Sequence, residues 1–216
     1  LSEWLVVLLE PMLKHYFTIA TNSDEVQAQL RSWSDEWRSH SGFRPWPTLQ
    51  FATLDIESLY PSIDLTHLRQ VIKSQIFKYY DGDKACQVSA LLDLVLRIND
   101  IAFEGEIYRI CKGLPTGSPV SVVLANLYLV ELDATLRGTP GLCFYKRYID
   151  DLLLLLSKDC IVDVIARLHS FHPNIRVQLS AQGTQHVPFL DLQLSIDDEA
   201  NISHELFIKP QNLFHY

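Results

Sequence analysis

The sequence lacks the features that mark small secreted, membrane-spanning or zinc-stabilised proteins. No apolar run reaches about 18 residues, so no membrane span is predicted. The apolar N-terminal stretch has no basic region and no small-residue cleavage site, so it does not resemble a signal peptide. The cysteines show no paired short spacing, which predicts neither a zinc knuckle nor a disulfide framework and favours a reducing compartment; they are Cys86, Cys111, Cys143 and Cys160.

Basic charge is also scarce. The chain has 18 Lys and Arg residues against 26 Asp and Glu, which gives a formal net charge of −8. A stand-alone nucleic-acid-binding domain usually carries a basic face, so this balance weighs against one. The composition, 48% hydrophobic and 20% charged, is that of a folded globular chain. With 216 residues, the chain is long enough for one sizeable core.

The order of the apolar patterns predicts an α+β fold with a mostly antiparallel sheet. Two helices precede a strand that ends at Asp55, and further helices are predicted over about 65–79 and 87–100. A hairpin with its tip at Glu104 and Gly105 follows, and then a helix that begins at Pro119. The remaining segments predict a strand pair over 142–157, a helix over 160–171, and strands over 174–182, 187–196 and 202–210.

Acidic residues lie at the ends of two predicted strands. In "FYKRYIDDLLLLLS" (144–157), Asp150 and Asp151 directly precede five leucines. Asp55 is the last residue but one of "TLQFATLDI" (48–56). If these strands are neighbours in one antiparallel sheet, the three carboxylates meet at one edge of it. Such a cluster suits Mg²⁺, which prefers oxygen ligands, and two such ions support phosphoryl transfer. The alternative is that the Asp pair is ordinary solvated turn chemistry.

Four motifs in order resemble the palm of reverse transcriptases. They are "FATLDIESLYPSI", "KGLPTGSPVSVVLANLYL", "YKRYIDDLLLLL", and "HVPFLDLQLS" with "ELFIKPQ", and together they span residues 51–210. Within the family, "PFLDL" and the later "KP" are most similar to Penelope-like retroelements, whose polymerase is related to telomerase.

The resemblance implies a right-hand polymerase palm with a mostly antiparallel sheet packed on helices and partial fingers. Residues 1–216 are then a fragment of a reverse transcriptase domain. Residues 1–48 form a helical part that connects fingers and palm, and residues 49–216 form the palm. The thumb and the N-terminal fingers are expected to be absent from the chain.

The resemblance also implies the catalytic residues. Asp55 and Asp150 correspond to the main ligands of two Mg²⁺ or Mn²⁺ ions. Asp151 corresponds to an auxiliary ligand or positioning residue, and the carbonyl of Ile56 joins the metal shell.

A second group of residues is implied to contact the incoming nucleotide. Tyr60, five residues after Asp55, matches the aromatic steric gate that excludes a 2′-hydroxyl by overlap; the alternative is a core tyrosine. Pro115, Thr116 and Gly117 belong to a glycine loop that allows close backbone approach and leads into a helix N-terminus, which favours phosphate. Thr116 stands where relatives carry Gln or Met.

Further residues are assigned by position. Tyr148 is expected near the primer end, and Lys209 near the primer or template backbone. Lys146 and Arg147 alternate along a strand, so at most one faces the site, and the alternative is that they lie on a solvated face. Asp191, in "VPFLDL", is interpreted as a structural residue of a strand rather than a fourth ligand.

The implied activity is RNA-directed DNA polymerisation, with an RNA template, a DNA primer and dNTPs as partners. The family further implies an intracellular, nuclear protein with no membrane partner, and an appended endonuclease in the parent protein. One alternative is a truncated or domesticated domain, catalytically silent, that binds nucleic acid or protein. An RNA-dependent RNA polymerase shares the palm but is disfavoured by Tyr60, because such enzymes must admit the 2′-hydroxyl.

Overall fold

The structure is a computed structural model that describes residues 1–40, 48–98 and 100–207. The helices are α1 (Ser2–Leu13), α2 (Ser23–His40), α3 (Leu59–Ser62), α4 (Leu65–Tyr79), α5 (Gly82–Arg97), α6 (Pro119–Thr135) and α7 (Ile161–His169). The strands are β1 (Leu49–Ile56), β2 (Asp100–Phe103), β3 (Glu106–Arg109), β4 (Leu142–Tyr148), β5 (Asp151–Ser157), β6 (Val177–Gly183), β7 (Val187–Phe189), β8 (Leu192–Ile196) and β9 (Ile202–Leu206). In the described ranges, no helix has the length and apolar character needed to cross a membrane.

The chain divides into two compact units, which are described separately. The helical unit comprises Leu1–Phe17, Glu57–Thr135 and Leu168–Arg176, and the sheet unit comprises Thr18–Ile56, Leu136–Arg167 and Val177–Tyr216.

The sheet unit is built on a four-stranded antiparallel sheet in the order β4–β5–β1–β6. The leucines of β5, Leu152 to Leu156, are all fully buried. Because successive side chains of a strand point to opposite faces, both faces of β5 are buried. That double burial explains why the strand is a continuous apolar run.

One face of this sheet packs into a hydrophobic core inside the sheet unit. Phe51, Leu153 and Leu155 contribute from the sheet, and Val26 and Leu30 contribute from α2. The hairpin β7–β8 and strand β9 form a separate three-stranded sheet whose apolar residues complete this core. The rings of Trp33 and Trp37 stack at 5.2 Å and pack against it, so the i, i+4 pair of tryptophans serves packing.

In the helical unit, α1 and α4 pack against α6, whose residues from Val120 to Leu132 are largely buried, and α5 packs against α1 and α4. Asp64 caps α4 because its carboxylate accepts hydrogen bonds at 2.8 Å from the backbone N–H groups of Thr66 and His67. The side-chain amide of Gln75 donates to the carbonyl of Leu127 at 2.9 Å, which ties α4 to α6.

The α+β class and the mostly antiparallel sheet are confirmed, but two element predictions are wrong. The segment 81–87, which lies between the helices predicted over 65–79 and 87–100, is helical from Gly82 onward because Ala85 extends the buried stripe of Val88 and Leu92 by one turn. The predicted strand 187–196 is a hairpin, in which Phe189 pairs with Leu192 across a two-residue loop. Leu190 in this loop has a positive φ of 56°, which reverses the chain.

Candidate functional site

A tight hairpin between β4 and β5 presents the acidic pair. Tyr148 and Asp151 are cross-strand partners, so only Ile149 and Asp150 form the loop. Ile149 has a φ of 56°, a left-handed conformation that is strained for a β-branched residue. Such strain persists only where surrounding contacts enforce it, and it is common at functional sites.

The neighbouring strand brings the third acidic residue to the same end of the sheet. Asp55 of β1 lies directly opposite Asp151 of β5, and the backbone N–H of Ile56 donates to the carbonyl of Asp150 at 3.0 Å. Cross-strand partners share a face, so Tyr148, Asp151 and Asp55 form one row across three strands. The strands that carry the two acidic motifs are therefore neighbours in one antiparallel sheet, and Asp55 lies opposite Asp151 at the same end of it.

The chemistry of this row suits a hard cation. Like charges directly opposite each other in a sheet are destabilising, and a divalent ion would relieve the repulsion between Asp55 and Asp151. Carboxylate and carbonyl oxygens are the donors that Mg²⁺ prefers. In the described part of the chain, however, no group of three His, Cys, Asp or Glu side chains is gathered closely enough to hold a metal. The donor types fit a metal, whereas a complete ligand set is not assembled.

Two cationic residues immediately before the hairpin are buried, contrary to the solvated alternative. Lys146 is 1% exposed and Arg147 is 0% exposed. They point to opposite faces as expected, because Lys146 is opposite Leu153 and Arg147 is opposite Leu152. The segment around Ile19 pairs with the backbone of Arg147 along the edge of β4, and α2 packs against the same strand.

Lys146 is paired with a carboxylate of α2. Its Nζ lies 3.4 Å from Oε1 of Glu25. Burial lowers the pKa of Lys146, and the charge of Glu25 offsets part of this effect. Burial raises the pKa of Glu25, but hydrogen bonds from Thr21 and the charge of Lys146 bring it below its ordinary value.

In the helical unit, the glycine loop is bound to the segment that carries Tyr60. The N–H of Leu114 donates to the carbonyl of Tyr60 at 2.9 Å. Gly113 has a φ of 76°, and a Cβ at this position would lie 2.4 Å from the Tyr60 carbonyl oxygen and 2.6 Å from Cα of Pro61. Only glycine allows this approach. The structure thus brings together two motifs that are about 50 residues apart in the sequence.

The three loop residues predicted to contact a nucleotide border a groove of about 280 Å³ in the helical unit. Thr116 and Gly117 are exposed and Pro115 is partly buried. Gly117 has a φ of 86°, and nothing lies within 4 Å of a Cβ placed there. The loop therefore has open space beside its backbone at Gly117.

The remaining predicted residues are Asp191 and Lys209. Asp191 belongs to the loop of the β7–β8 hairpin rather than to a strand, and its carboxylate accepts a hydrogen bond from the Ser23 hydroxyl. This contact fits the structural role assigned to it. Lys209 lies outside the described residues.

The sequence pattern did not predict the burial of Lys146 and Arg147, because no periodicity in "YKRY" distinguishes a covered strand edge from an open one.

The chain was compared with known protein families, with curated proteins and with solved structures. Residues 7–188 match the family described as Reverse transcriptase (RNA-dependent DNA polymerase). No curated protein matches the chain.

Solved structures show the same fold at low sequence identity. Telomerase from Candida albicans, in complex with a TWJ fragment of telomeric RNA, matches with a TM-score of 0.69 and 12% identity over 99% of this chain and 39% of that one. Apo telomerase from Candida tropicalis matches with a TM-score of 0.68 and 11% identity, over 94% and 40% of the two chains. The Sicinivirus 3Dpol RNA-dependent RNA polymerase matches with a TM-score of 0.51 and 16% identity, over 83% and 40%. The chain thus spans about two fifths of each, and its mixed helices and antiparallel sheet resemble the polymerase palm.

Proposed function

The chain belongs to the reverse transcriptase family, and on this premise we propose that its domain adds dNTPs to a primer 3′-hydroxyl under the direction of an RNA template. The family indicates a nucleotidyltransferase of the RNA-directed DNA polymerase class. The observation that carries the proposal is the pairing of Asp55 with Asp151, together with the bond from the Ile56 N–H to the Asp150 carbonyl. These contacts join two family motifs through their acidic residues.

The acidic residues take the metal-binding roles in this proposal. Asp55 and Asp150 would hold two divalent cations, Mg²⁺ or Mn²⁺, with Asp151 as an auxiliary ligand and the Ile56 carbonyl in the metal shell. When bound, such ions activate the attacking hydroxyl and neutralise charge on the leaving oxygen. The protein contributes mainly fixed positions and electrostatic stabilisation, because phosphoryl transfer requires little covalent chemistry from side chains.

Other residues select and orient the substrates. Tyr60 acts as a steric gate against ribonucleotides, and Pro115, Thr116 and Gly117 contact the nucleotide. The bond between Leu114 and Tyr60 supports a joint role, because it holds the loop to the gate residue. Tyr148 packs near the primer end, and Lys209 contacts the primer or template backbone.

The proposed origin is a Penelope-like retroelement, on the basis of "PFLDL" and the later "KP". The low-identity likeness to two Candida telomerases supports a polymerase of this broad type. An appended endonuclease in the parent protein is part of this proposal, and the parent reading frame tests it directly.

The test is primer extension by the parent polymerase with Asp150→Asn. We expect extension of a DNA primer on an RNA template with dNTP and Mg²⁺, and loss of at least about 10³-fold in Asp150→Asn, because metal-held charge stabilisation is worth several kcal/mol. Asp198→Asn is the matched control. It changes an exposed aspartate in the β8–β9 turn and should retain wild-type activity.

Parallel reactions with rNTPs separate the alternatives. Extension with dNTPs only supports a reverse transcriptase, whereas equal extension with rNTPs indicates an RNA polymerase. A folded parent protein with no extension on any primed template contradicts the enzymatic proposal and favours a silent binding domain.

A further inference from the structure

Arg147 is a fully buried guanidinium in an apolar row of the sheet. It has the largest of the fully buried side chains in the described residues. Its cross-strand partner is Leu152, which in turn is opposite Leu54, and both leucines are fully buried. A buried charge without strong hydrogen bonds is very costly, so a guanidinium in such a row requires specific acceptors.

One acceptor is in the hairpin loop itself. Nη1 of Arg147 donates to the carbonyl of Ile149 at 3.1 Å. This carbonyl belongs to the peptide group that joins Ile149 to Asp150, and a peptide group is planar. The bond therefore fixes the plane on the N-terminal side of Asp150.

The peptide group on the other side of Asp150 is fixed as well. The carbonyl of Asp150 accepts from the Ile56 N–H at 3.0 Å. With both flanking peptide planes held, the direction in which the Asp150 side chain leaves the backbone is determined. The left-handed conformation of Ile149 is the kind of strain that such contacts must maintain.

The backbone of Arg147 is itself anchored. Its N–H donates to the carbonyl of Thr18 at 2.8 Å, and its carbonyl accepts from the N–H of Ala20 at 2.7 Å. These bonds extend the outer edge of β4 with the segment around Ile19, which pairs in parallel with Arg147. The guanidinium thus extends toward the loop from a fixed base.

We propose that Arg147 is a positioning residue that orients Asp150 through the carbonyl of Ile149. The expected effect of Arg147 on kcat rests on the proposed function, because it can be measured only if the protein polymerises DNA. Its structural consequence, a hairpin loop held by the guanidinium, can be measured without any activity.

The test compares Arg147→Met, Arg147→Lys and Leu194→Ala in the parent polymerase. Arg147→Met keeps a long side chain but removes the donors. We expect kcat per folded molecule to fall about 10- to 100-fold, while KM for dNTP stays within about twofold, because misplacement of a catalytic group acts on the chemical step. Arg147→Lys, which retains a donor and the charge, should recover part of the loss.

Leu194→Ala controls for lost stability. Leu194 is fully buried in the same sheet unit, in the core formed with α2. Its truncation should lower the thermal midpoint, yet leave kcat per folded molecule within about threefold. A fall in kcat in Leu194→Ala equal to that in Arg147→Met would show that stability alone explains the effect and would overturn the proposal.

Amide hydrogen exchange over Ile149–Asp151 provides the readout that does not depend on activity. We expect exchange here to be at least about tenfold faster in Arg147→Met than in Leu194→Ala, because loops open locally when the bonds that hold them are removed. Unchanged exchange in Arg147→Met contradicts the positioning role whether or not the protein polymerises DNA. Faster exchange in a protein with no wild-type extension supports the positioning role while the proposed function fails.

Discussion

At the residue scale, Gly113 shows how a single position joins two distant motifs. A Cβ on Gly113 would overlap the backbone of Tyr60 and Pro61, and its φ of 76° is unfavourable for any other residue. The bond from Leu114 to the Tyr60 carbonyl depends on this close approach.

We therefore expect Gly113→Ala to lower the free energy of unfolding by about 2 kcal/mol or more, from overlap added to backbone strain. Gly138→Ala is the control, because Gly138 has a φ of 70° but nothing within 4 Å of its added Cβ. It should cost only about 1 kcal/mol. Urea denaturation of the two variants measures both values, and equal losses would show that the contact with Tyr60 is not tight.

The sequence predicted the acidic residues of this site but not their cationic neighbours. Asp55, Asp150 and Asp151 lie at strand ends, where alternation and chain reversal limit the possible positions. Lys146 pairs with Glu25 of α2 and Arg147 pairs with Ile19, so both residues contact segments more than 100 residues away in the chain. The local sequence pattern around a residue does not predict which distant segment will pack against it.

At the scale of elements, boundaries with strong local chemistry were predicted well. The helix predicted over 65–79 is present, and its N-terminus is fixed by local bonds to the cap residue Asp64. The start of α5 and the β7–β8 hairpin were missed. The first depends on the burial of Ala85 and the second on the positive φ of Leu190, and neither residue type marks a helix start or a turn in the sequence.

The cap of α4 provides an element-scale prediction. Asp64→Ala should lower the free energy of unfolding by about 1 kcal/mol at neutral pH, and Asp64→Asn by much less, because an amide oxygen can still accept the two N–H groups. Thermal or urea unfolding of the three proteins measures this order. A loss in Asp64→Asn as large as in Asp64→Ala would mean that capping is not the source of the stability.

The pH dependence of this cap follows from its hydrogen bonds. The N–H of His67 first, and that of Thr66, hold the pKa of Asp64 below its ordinary value, although burial opposes them. Because the folded pKa is lower than the unfolded one, the stabilisation is complete above the unfolded pKa and is lost as the pH falls through the folded pKa. The difference between wild type and Asp64→Ala should therefore shrink below about pH 4.

At the scale of the whole molecule, the charge balance limits what this chain binds alone. The net charge is −8, whereas affinity for nucleic acid comes mainly from neutralised phosphates. The chain spans 39% of the Candida albicans telomerase to which it is similar. The acidic chain by itself is therefore expected to neutralise few phosphates.

The 216-residue chain should accordingly bind a primer–template duplex more weakly than about 10 µM at 150 mM salt, which lies within the usual range for non-specific binding. Fluorescence anisotropy over a salt series measures the affinity and the number of phosphates neutralised. The parent polymerase is the comparison and should show tighter binding with a steeper salt dependence. Submicromolar binding by the 216-residue chain would mean that its own surface is sufficient.

The sequence by itself determined most of the elements and the family motifs, because helix periodicity, strand alternation and capping residues act over a few positions. It also determined that acidic residues end two strands. Tertiary structure decided that Asp55 is opposite Asp151, that Gly113 lies against Tyr60, and that Arg147 is buried with its guanidinium on the Ile149 carbonyl. These contacts join residues through strand register and long-range packing, which depend on the whole chain and cannot be read from a local pattern.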